Sequence, residues 1–362
     1  MPLPSSSIYV PKKPIYLAAI GARTGVGLTA ESSAAAVRAG ISAISEHPNF
    51  IDQLGEPMRL VRDALLEPDV KLADRMTELA VSALLQLPQI DGTADRPLNS
   101  LLVVCTPEPR PGLPAKIAET VGAAISQRLR RTNLRVQSLA QGHAAGLVGF
   151  GLAAKALDEG RADVAAVVGV DSYHDINTLG WMDETGQLKS EVNRDGFFPG
   201  EGAGACLLVR ADVAKALRLT PLARLTAIST ALETITINSE EVCVGEGLSA
   251  AFLGLAPVVE AANQQITDTY CDLNGQRYRS EELVYSAMRA NHLFAPEVET
   301  THPADCWGDV GASSGPLFVS LALAASQKGY CRGSRAALWA GSGTGRRAVA
   351  LLDFPAANPE AA

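Results

Sequence analysis

No stretch of the 362 residues reaches the roughly 20 apolar residues that span a bilayer, so the sequence predicts no membrane helix. The opening Met1-Pro2-Leu3-Pro4-Ser5-Ser6-Ser7 lacks the charged region and apolar core of a secretory leader, and a cytoplasmic location is expected. Cysteine is sparse. Cys105, Cys206, Cys243, Cys271, Cys306 and Cys331 are scattered, form no CxxC and stand at no ligand spacing from the five histidines. Neither a disulfide scaffold nor a zinc site is expected, and nothing in the pattern asks for a cofactor. Basic runs are missing too: the net charge is −8 and no Lys/Arg run exceeds a pair such as Arg130-Arg131, which sets nucleic acid aside. Arg128, Arg130, Arg131 and Arg135 form one local basic cluster, readable as a solvated face or as a landing point for an acidic carrier protein.

What is present is small and apolar. With 47% hydrophobic and 19% charged residues, rich in Ala, Val, Leu and Gly, the chain can fill a large core with helices packed closely on strands. An apolar run over 15–20 ends in Gly21 and leads to a helical pattern over 29–40. Residues 44–86 read as a helical excursion outside the main sheet, ending near the polar loop 91–97. Strands over 101–105, 136–140 and 163–170 alternate with helices over 114–130 and 144–159, the order of a mainly parallel sheet covered on both faces. A strand over 203–210 follows. The pattern then restarts with a strand at 222–231, helix 248–264, strand 269–273, helices 280–291 and 315–327, and strands 336–340 and 348–354. Two halves of similar element order, 12–215 and 216–355, suggest an internal repeat in an α/β fold, with a frayed tail over 355–362.

The most specific motif is Asn193-Arg194-Asp195-Gly196-Phe197-Phe198-Pro199-Gly200-Glu201-Gly202-Ala203-Gly204. It resembles the RDGF-x-x-GEGAG block of the β-ketoacyl-acyl-carrier-protein synthases. Its glycines permit tight turns and close backbone approach, and Glu201 places a carboxylate at the start of a buried strand, as a pocket wall or as a scaffold clamp. Gly21-Ala22-Arg23-Thr24-Gly25, Leu157-Asp158-Glu159-Gly160 and Gly341-Ser342-Gly343-Thr344-Gly345 fall in the same family's order. The resemblance implies a thiolase fold, five layers αβαβα with two internally duplicated halves.

In that family a nucleophilic Cys sits where a strand meets a helix N-terminus, whose N–H groups favour a thiolate. Counting back from Gly160 puts His143 there, within Gln141-Gly142-His143-Ala144. A positive helix end is expected to lower its basicity. The first family histidine lies in an HGTxT loop, and Asn274 in Asp272-Leu273-Asn274-Gly275-Gln276 takes its place, with Glu281 or Glu282 at the later acidic position. An amide there can still donate to a thioester carbonyl. The second lies in a GHxxGAAG segment resembling Trp307-Gly308-Asp309-Val310-Gly311. One alignment puts Asp309 at the histidine and a gapless one puts Gly308 there; Asp309 has the side chain able to act.

His143, Asn274 and Asp309 thus stand where the resemblance implies Cys, His and His. Decarboxylative condensation needs a thiolate and two donors for the enolate, and this set provides neither. What remains is either a His143–Asp309 ion pair, the family's charged pair with its polarity reversed, or two side chains buried or solvent-paired independently. Cys306, Ser313 and Ser314 are weaker nucleophile candidates; Cys105 and Cys271 read as small hydrophobes, and His47, His174 and His292 as surface or capping residues. A lysine that the family has a few residues before the second histidine has no counterpart in Thr301-His302-Pro303-Ala304-Asp305, unless His302 reaches in. The resemblance implies dimers through the central strand of the first half. The expected protein is therefore a binding one, working on an acyl chain, an acyl carrier protein or a partner synthase, as a homodimer or as a heterodimer with an active synthase. The alternative is an acyltransferase or thioester hydrolase with His143 as general base.

Overall fold

The computed structural model describes residues 3–90, 92, 93, 96–131 and 133–355. The expected frayed tail beyond Pro355 and residues 91, 94 and 95 of the 91–97 loop therefore lie outside the described residues. Ten strands carry the fold: β1 (Ile15–Thr24), β2 (Ser100–Thr106), β3 (Leu134–Ala140), β4 (Val164–Ser172), β5 (Glu201–Arg210), β6 (Ala223–Leu232), β7 (Ile266–Cys271), β8 (Phe294–Thr301), β9 (Arg335–Gly341) and β10 (Arg346–Asp353). Their order is β8-β7-β9-β10-β6-β1-β5-β4-β2-β3. Within the first five strands the neighbours run third, second, fourth, fifth, first, and the last five repeat that order. The directions repeat as well: β3, β2, β4 and β1 run one way while β5, antiparallel to both β4 and β1, runs the other, and β8, β7, β9 and β6 run one way while β10, antiparallel to both β9 and β6, runs the other. Between the two sets lies a short antiparallel seam, Ile15, Tyr16 and Leu17 against Leu225, Arg224 and Ala223.

Alternation along the strands sorts side chains into layers. Leu101, Val103 and Cys105 of β2, with Ala348, Ala350 and Leu352 of β10, face one central core. Leu102 and Val104 face an outer core under helices α1 (Leu72–Leu84) and α2 (Ile117–Leu129), while Val349 and Leu351 face another under α4 (Glu246–Leu253). The central layer is filled by α3 (Ala145–Asp158) and α6 (Ser314–Gln327). These two apolar helices meet where a Cβ on Gly315 would lie 2.9 Å from Leu147 N, so the contact requires glycine. Helices outside, sheet, helices inside, sheet, helices outside is the five-layer thiolase arrangement.

Several expectations from the sequence are corrected. Residues 44–70 are not helical: Pro48, Gly55 and Pro57 break the pattern, and Ser45–Ile51 pairs with Pro57–Leu60 as a hairpin. The following helix, α1, does pack on the outer face of the sheet, with Met76, Leu79, Ala80 and Ala83 wholly buried against it. The single helix expected over 248–264 is two, Glu246–Leu253 and Ala256–Ala262, divided at Gly254 with Pro257 opening the second. Strand β8 was invisible in sequence because it is a polar edge strand containing Pro296. Among the described residues no helix is long and apolar enough to cross a membrane.

Candidate functional site

Residues beyond the carboxyl ends of parallel strands from both sets meet in one pocket, the usual position for a site in α/β sheets. The turn after β3 is tight because Gly142 adopts φ +60°, which places His143 in a 3-10 turn, Gly142–Ala144, just ahead of α3. Ser342, after β9, clips this turn by accepting from Ala144 N at 3.0 Å and donating to Gln141 O at 2.5 Å. Asp309 is set by the glycine-rich motif. Its N–H donates to Phe198 O and its carbonyl accepts from Gly200 N, both at 2.8 Å. That is what the motif's backbone does here: it holds the main chain of Asp309.

The three residues singled out in the sequence come together. His143 Nε2 lies 2.8 Å from Asp309 Oδ1 and 3.0 Å from Oδ2. Asn274 Nδ2 donates to Asp309 Oδ2 at 2.7 Å, and Gly311 N donates to Oδ1 at 2.9 Å. The second amide hydrogen of Asn274 goes to Gln276 Oε1 at 3.2 Å. The amide is thus occupied on both hydrogens, contrary to the expectation that it is free for a thioester carbonyl. Burial pushes the Asp309 carboxyl up, but His143, Arg279 and the Asn274 amide outweigh it and hold the group well below the ordinary carboxylate range. Burial likewise lowers His143, and Arg279 opposes its charge, yet the Asp309 carboxylate prevails and the imidazole is raised above its ordinary value. The expected loss of basicity at the helix end is therefore reversed by the buried partner.

Sequence reasoning missed Arg279 and Arg110. Arg279 donates to Asp272 Oδ2 at 2.7 Å and to Gly341 O at 3.0 Å, with Nη2 3.4 Å from His143 Nε2. Its helix (α5, Arg277–Ala290) buries Arg279, Glu282 and Ser286 on one face, and that 3-4 spacing of polar residues is the signal that could have exposed it. Glu282 accepts from Arg347 Nε at 2.5 Å. Arg110 spans Asp171 Oδ1 at 2.8 Å and Ser172 O at 2.7 Å, its guanidinium 3.9 Å over the Tyr173 ring.

Glu201 is a clamp. Its carboxylate takes both Arg75 Nε at 2.6 Å and Nη2 at 3.0 Å, plus Asp63 N and Ser172 Oγ, with both charged side chains fully buried. The other nucleophile candidates are tied down: Ser313 Oγ donates to Val310 O and Ser314 Oγ to Gly311 O, each at 2.7 Å, and burial raises the Cys306 thiol. Cys105 and Cys271 are fully buried. His47 and His174 are not surface residues; both are buried, with ring centroids 5.0 Å apart and Phe50 stacked on His47 at 4.0 Å. His292 is at the surface, 3.8 Å from Glu260, and His302 is exposed. In the basic cluster Arg128 pairs with Glu78 at 3.1 Å. Glu233, Cys243 and Glu282 bring ligand-type atoms within 4.8 Å of one another. Glu282 is already paired with Arg347, and Glu233 accepts Ile235 N and Gly247 N, which fits an internal polar cluster better than a metal site.

The layers and the strand order define the class, a thiolase-fold protein. Residues 112–214 match the family model for "Beta-ketoacyl synthase, N-terminal domain", a little over a quarter of the 362 residues. Among solved structures it is similar to the ishigamide ketosynthase/chain length factor, at TM-score 0.71 and 19% identity over 94% of this chain and 99% of that one. It is also similar to the ketosynthase from module 6 of the bacillaene synthase from Bacillus subtilis 168, at TM-score 0.70 and 15% identity over 94% and 72%. A third is a type II PKS acyl-carrier protein in complex with its ketosynthase bound to the hexaketide, at TM-score 0.75 and 12% identity over 95% and 100%. No curated protein matches the sequence.

Proposed function

We propose that this ketosynthase-like chain does not condense acyl thioesters and acts by binding an acyl chain, an acyl carrier protein or a partner synthase. One observation carries the reading: at the strand-to-helix junction where the family resemblance implies a nucleophilic Cys stands His143, its Nε2 committed to Asp309 at 2.8 Å. Condensation needs a thiolate to hold the acyl group and donors to stabilise an enolate. Here the carboxylate of Asp309 opposes an enolate, and the Asn274 amide is spent on Asp309 and Gln276. The alternative, an acyltransferase or thioester hydrolase with His143 as general base, needs an imidazole that is unprotonated at working pH. The ion pair favours the imidazolium, so this reading stands second.

The repeated strand order supports residues 12–215 and 216–355 as two duplicated halves. The inner strands of the first half are paired on both sides, so the dimer contact expected on its central strand has no open edge there; a second chain, whether a copy of this one or an active synthase, has a place to add at β3, which ends the sheet. The similarity to a ketosynthase/chain length factor and to a ketosynthase carrying its acyl-carrier protein supports polyketide-type partners in the cytoplasm. The test is to incubate the purified protein with acyl and malonyl thioesters while following carbon dioxide release and intact mass. Neither decarboxylation nor a condensed product is expected, and either one overturns the reading.

A further inference from the structure

The binding role proposed above leaves open what the pocket beside His143 recognises. Its volume is about 250 Å³, and its lining includes His143, Arg110, Arg279, Tyr173, Trp181 and Phe197. The proton positions around His143 are fixed by chemistry. An ionised carboxylate 2.8 Å from Nε2 requires the hydrogen to sit on Nε2 and point at Asp309, because two lone pairs would otherwise face each other. Arg279 Nη2, 3.4 Å from the same nitrogen, then faces a donor and has no acceptor there. The rest of this guanidinium is engaged, Nη1 by Asp272 and Gly341 O and Nε by Gln276 Oε1 at 3.3 Å. Arg110 shows the same incompleteness. Its Nη2 is doubly used, but its buried Nε has no partner among the described residues. The third guanidinium on the lining, Arg347, is filled by Glu282, Ser342 O and Tyr278 Oη.

We infer that this pocket is a carboxylate site, taking the carboxylate of a short acyl acid between Arg279 and Arg110 with the apolar tail along Tyr173, Trp181 and Phe197. Two guanidiniums, each with side chains about nine-tenths buried and with unfilled donors, select a planar anion over a neutral carbonyl. The anion carries a single charge. Asp171 and Asp309 share the lining and repel a dianion such as phosphate. Glu108, the remaining carboxylate there, is turned to Thr344 N and Oγ1 at 3.2 and 2.7 Å. The chain is short because the volume falls below the roughly 300–1,000 Å³ of pockets that enclose larger ligands.

The experiment titrates the full-length protein with hexanoate, hexanamide and inorganic phosphate by calorimetry, and follows histidine resonances in ¹⁵N-labelled protein, with His143 assigned by comparison with His143→Gln. Hexanoate is expected to saturate and to shift the His143 signals. Hexanamide should bind about tenfold more weakly or worse, as loss of a charge-assisted hydrogen bond implies, and phosphate should not saturate. Arg279→Gln and Arg110→Gln should each weaken hexanoate by about tenfold with unchanged circular dichroism. Equal binding of the amide, saturable phosphate, or His143 signals that hexanoate leaves unmoved overturns the site. Should Arg279→Gln fail to fold, the ligand series and the His143 signals of the unmodified protein decide alone. Carboxylate binding together with carbon dioxide release from malonyl thioester removes the non-condensing reading and keeps the site; no binding with no release removes only the site.

Discussion

His143 Nε2 and Asp309 Oδ1 lie 2.8 Å apart, joining a turn that follows β3 to a loop that follows β8, so this one ion pair ties together segments 166 residues apart. Its pH dependence follows from the two shifts. The raised His143 contributes stability that is complete below the ordinary imidazole value and is lost as pH rises through its folded value. The lowered Asp309 contributes stability present above the ordinary carboxylate value and lost as pH falls toward its folded value. Between about pH 4 and about pH 6.5 both are in force. Asp309→Asn should therefore destabilise the fold by about 3–5 kcal/mol in that window, and the deficit should shrink at alkaline pH. Denaturant unfolding of both proteins across the pH range checks this; a deficit that widens above neutrality contradicts the ion pair.

The Arg75–Glu201 pair invites a double-mutant cycle. Both side chains are fully buried, 2.6 Å apart, so Glu201→Gln strands a buried guanidinium and should lower stability by about 3–5 kcal/mol. Arg75→Met alone strands the carboxylate and should be comparably damaging. Because much of each penalty is an uncompensated charge, the double variant Arg75→Met/Glu201→Gln should be less destabilised than the sum of the two. Strict additivity in chemical unfolding would show that the two groups do not act as a unit.

His47 gives a second pH handle, of the opposite kind. Its Nδ1 accepts from Asn49 N at 3.1 Å and Phe50 N at 3.0 Å, which requires that nitrogen to be unprotonated. Burial first, then His174, Arg62 and Arg75, lower its pKa to about 4. Its contribution is present above the ordinary imidazole value and is lost as pH falls from about 6.5 toward about 4, where the unfolded chain binds the proton and the folded one does not. Thermal unfolding between these pH values should show a slope that His47→Gln reduces. An unchanged slope would mean that His47 is already charged in the fold.

The fold was legible where residues are apolar and alternate: β2, β4, β9 and β10, and the two glycine- and alanine-rich helices α3 and α6, all lie close to their expected places. It was obscure where polar residues build structure. The hairpin Ser45–Ile51/Pro57–Leu60 and edge strand β8 bury little on one side and so lack a strand signal. In the candidate site His143, Asn274 and Asp309 could be placed by motif order. Arg279 and Arg110 could not, because their partners, Asp272 and Asp171, are reached only through the packing of strand ends. The Asn274 amide shows the same limit. Its residue type permits donation to a ligand, and only the three-dimensional network reveals that both hydrogens are spent.

The replacement His143→Cys separates the loss of the nucleophile from the loss of its surroundings. The substituted side chain stands at the turn leading into α3, where helix N-H groups favour a thiolate, and Arg279 Nη2, 3.4 Å from the present Nε2, adds a cation. Asp309 opposes that charge. The variant should therefore take up an acyl group from an acyl thioester, seen as an intact-mass increase on one cysteine, while the unmodified protein with its six cysteines does not. Adding Asp309→Asn removes the opposing carboxylate and should speed acylation by about tenfold or more, since one pKa unit is worth a tenfold change in thiolate at fixed pH. Neither variant should release carbon dioxide from malonyl thioester, because Asn274 remains hydrogen-bonded to Gln276 and no imidazole donor faces the enolate. Acylation without decarboxylation would show that the junction still presents a nucleophile but that the rest of the pocket is not built to condense. Decarboxylation by His143→Cys alone would mean that the surroundings are competent and that the histidine by itself silences the site.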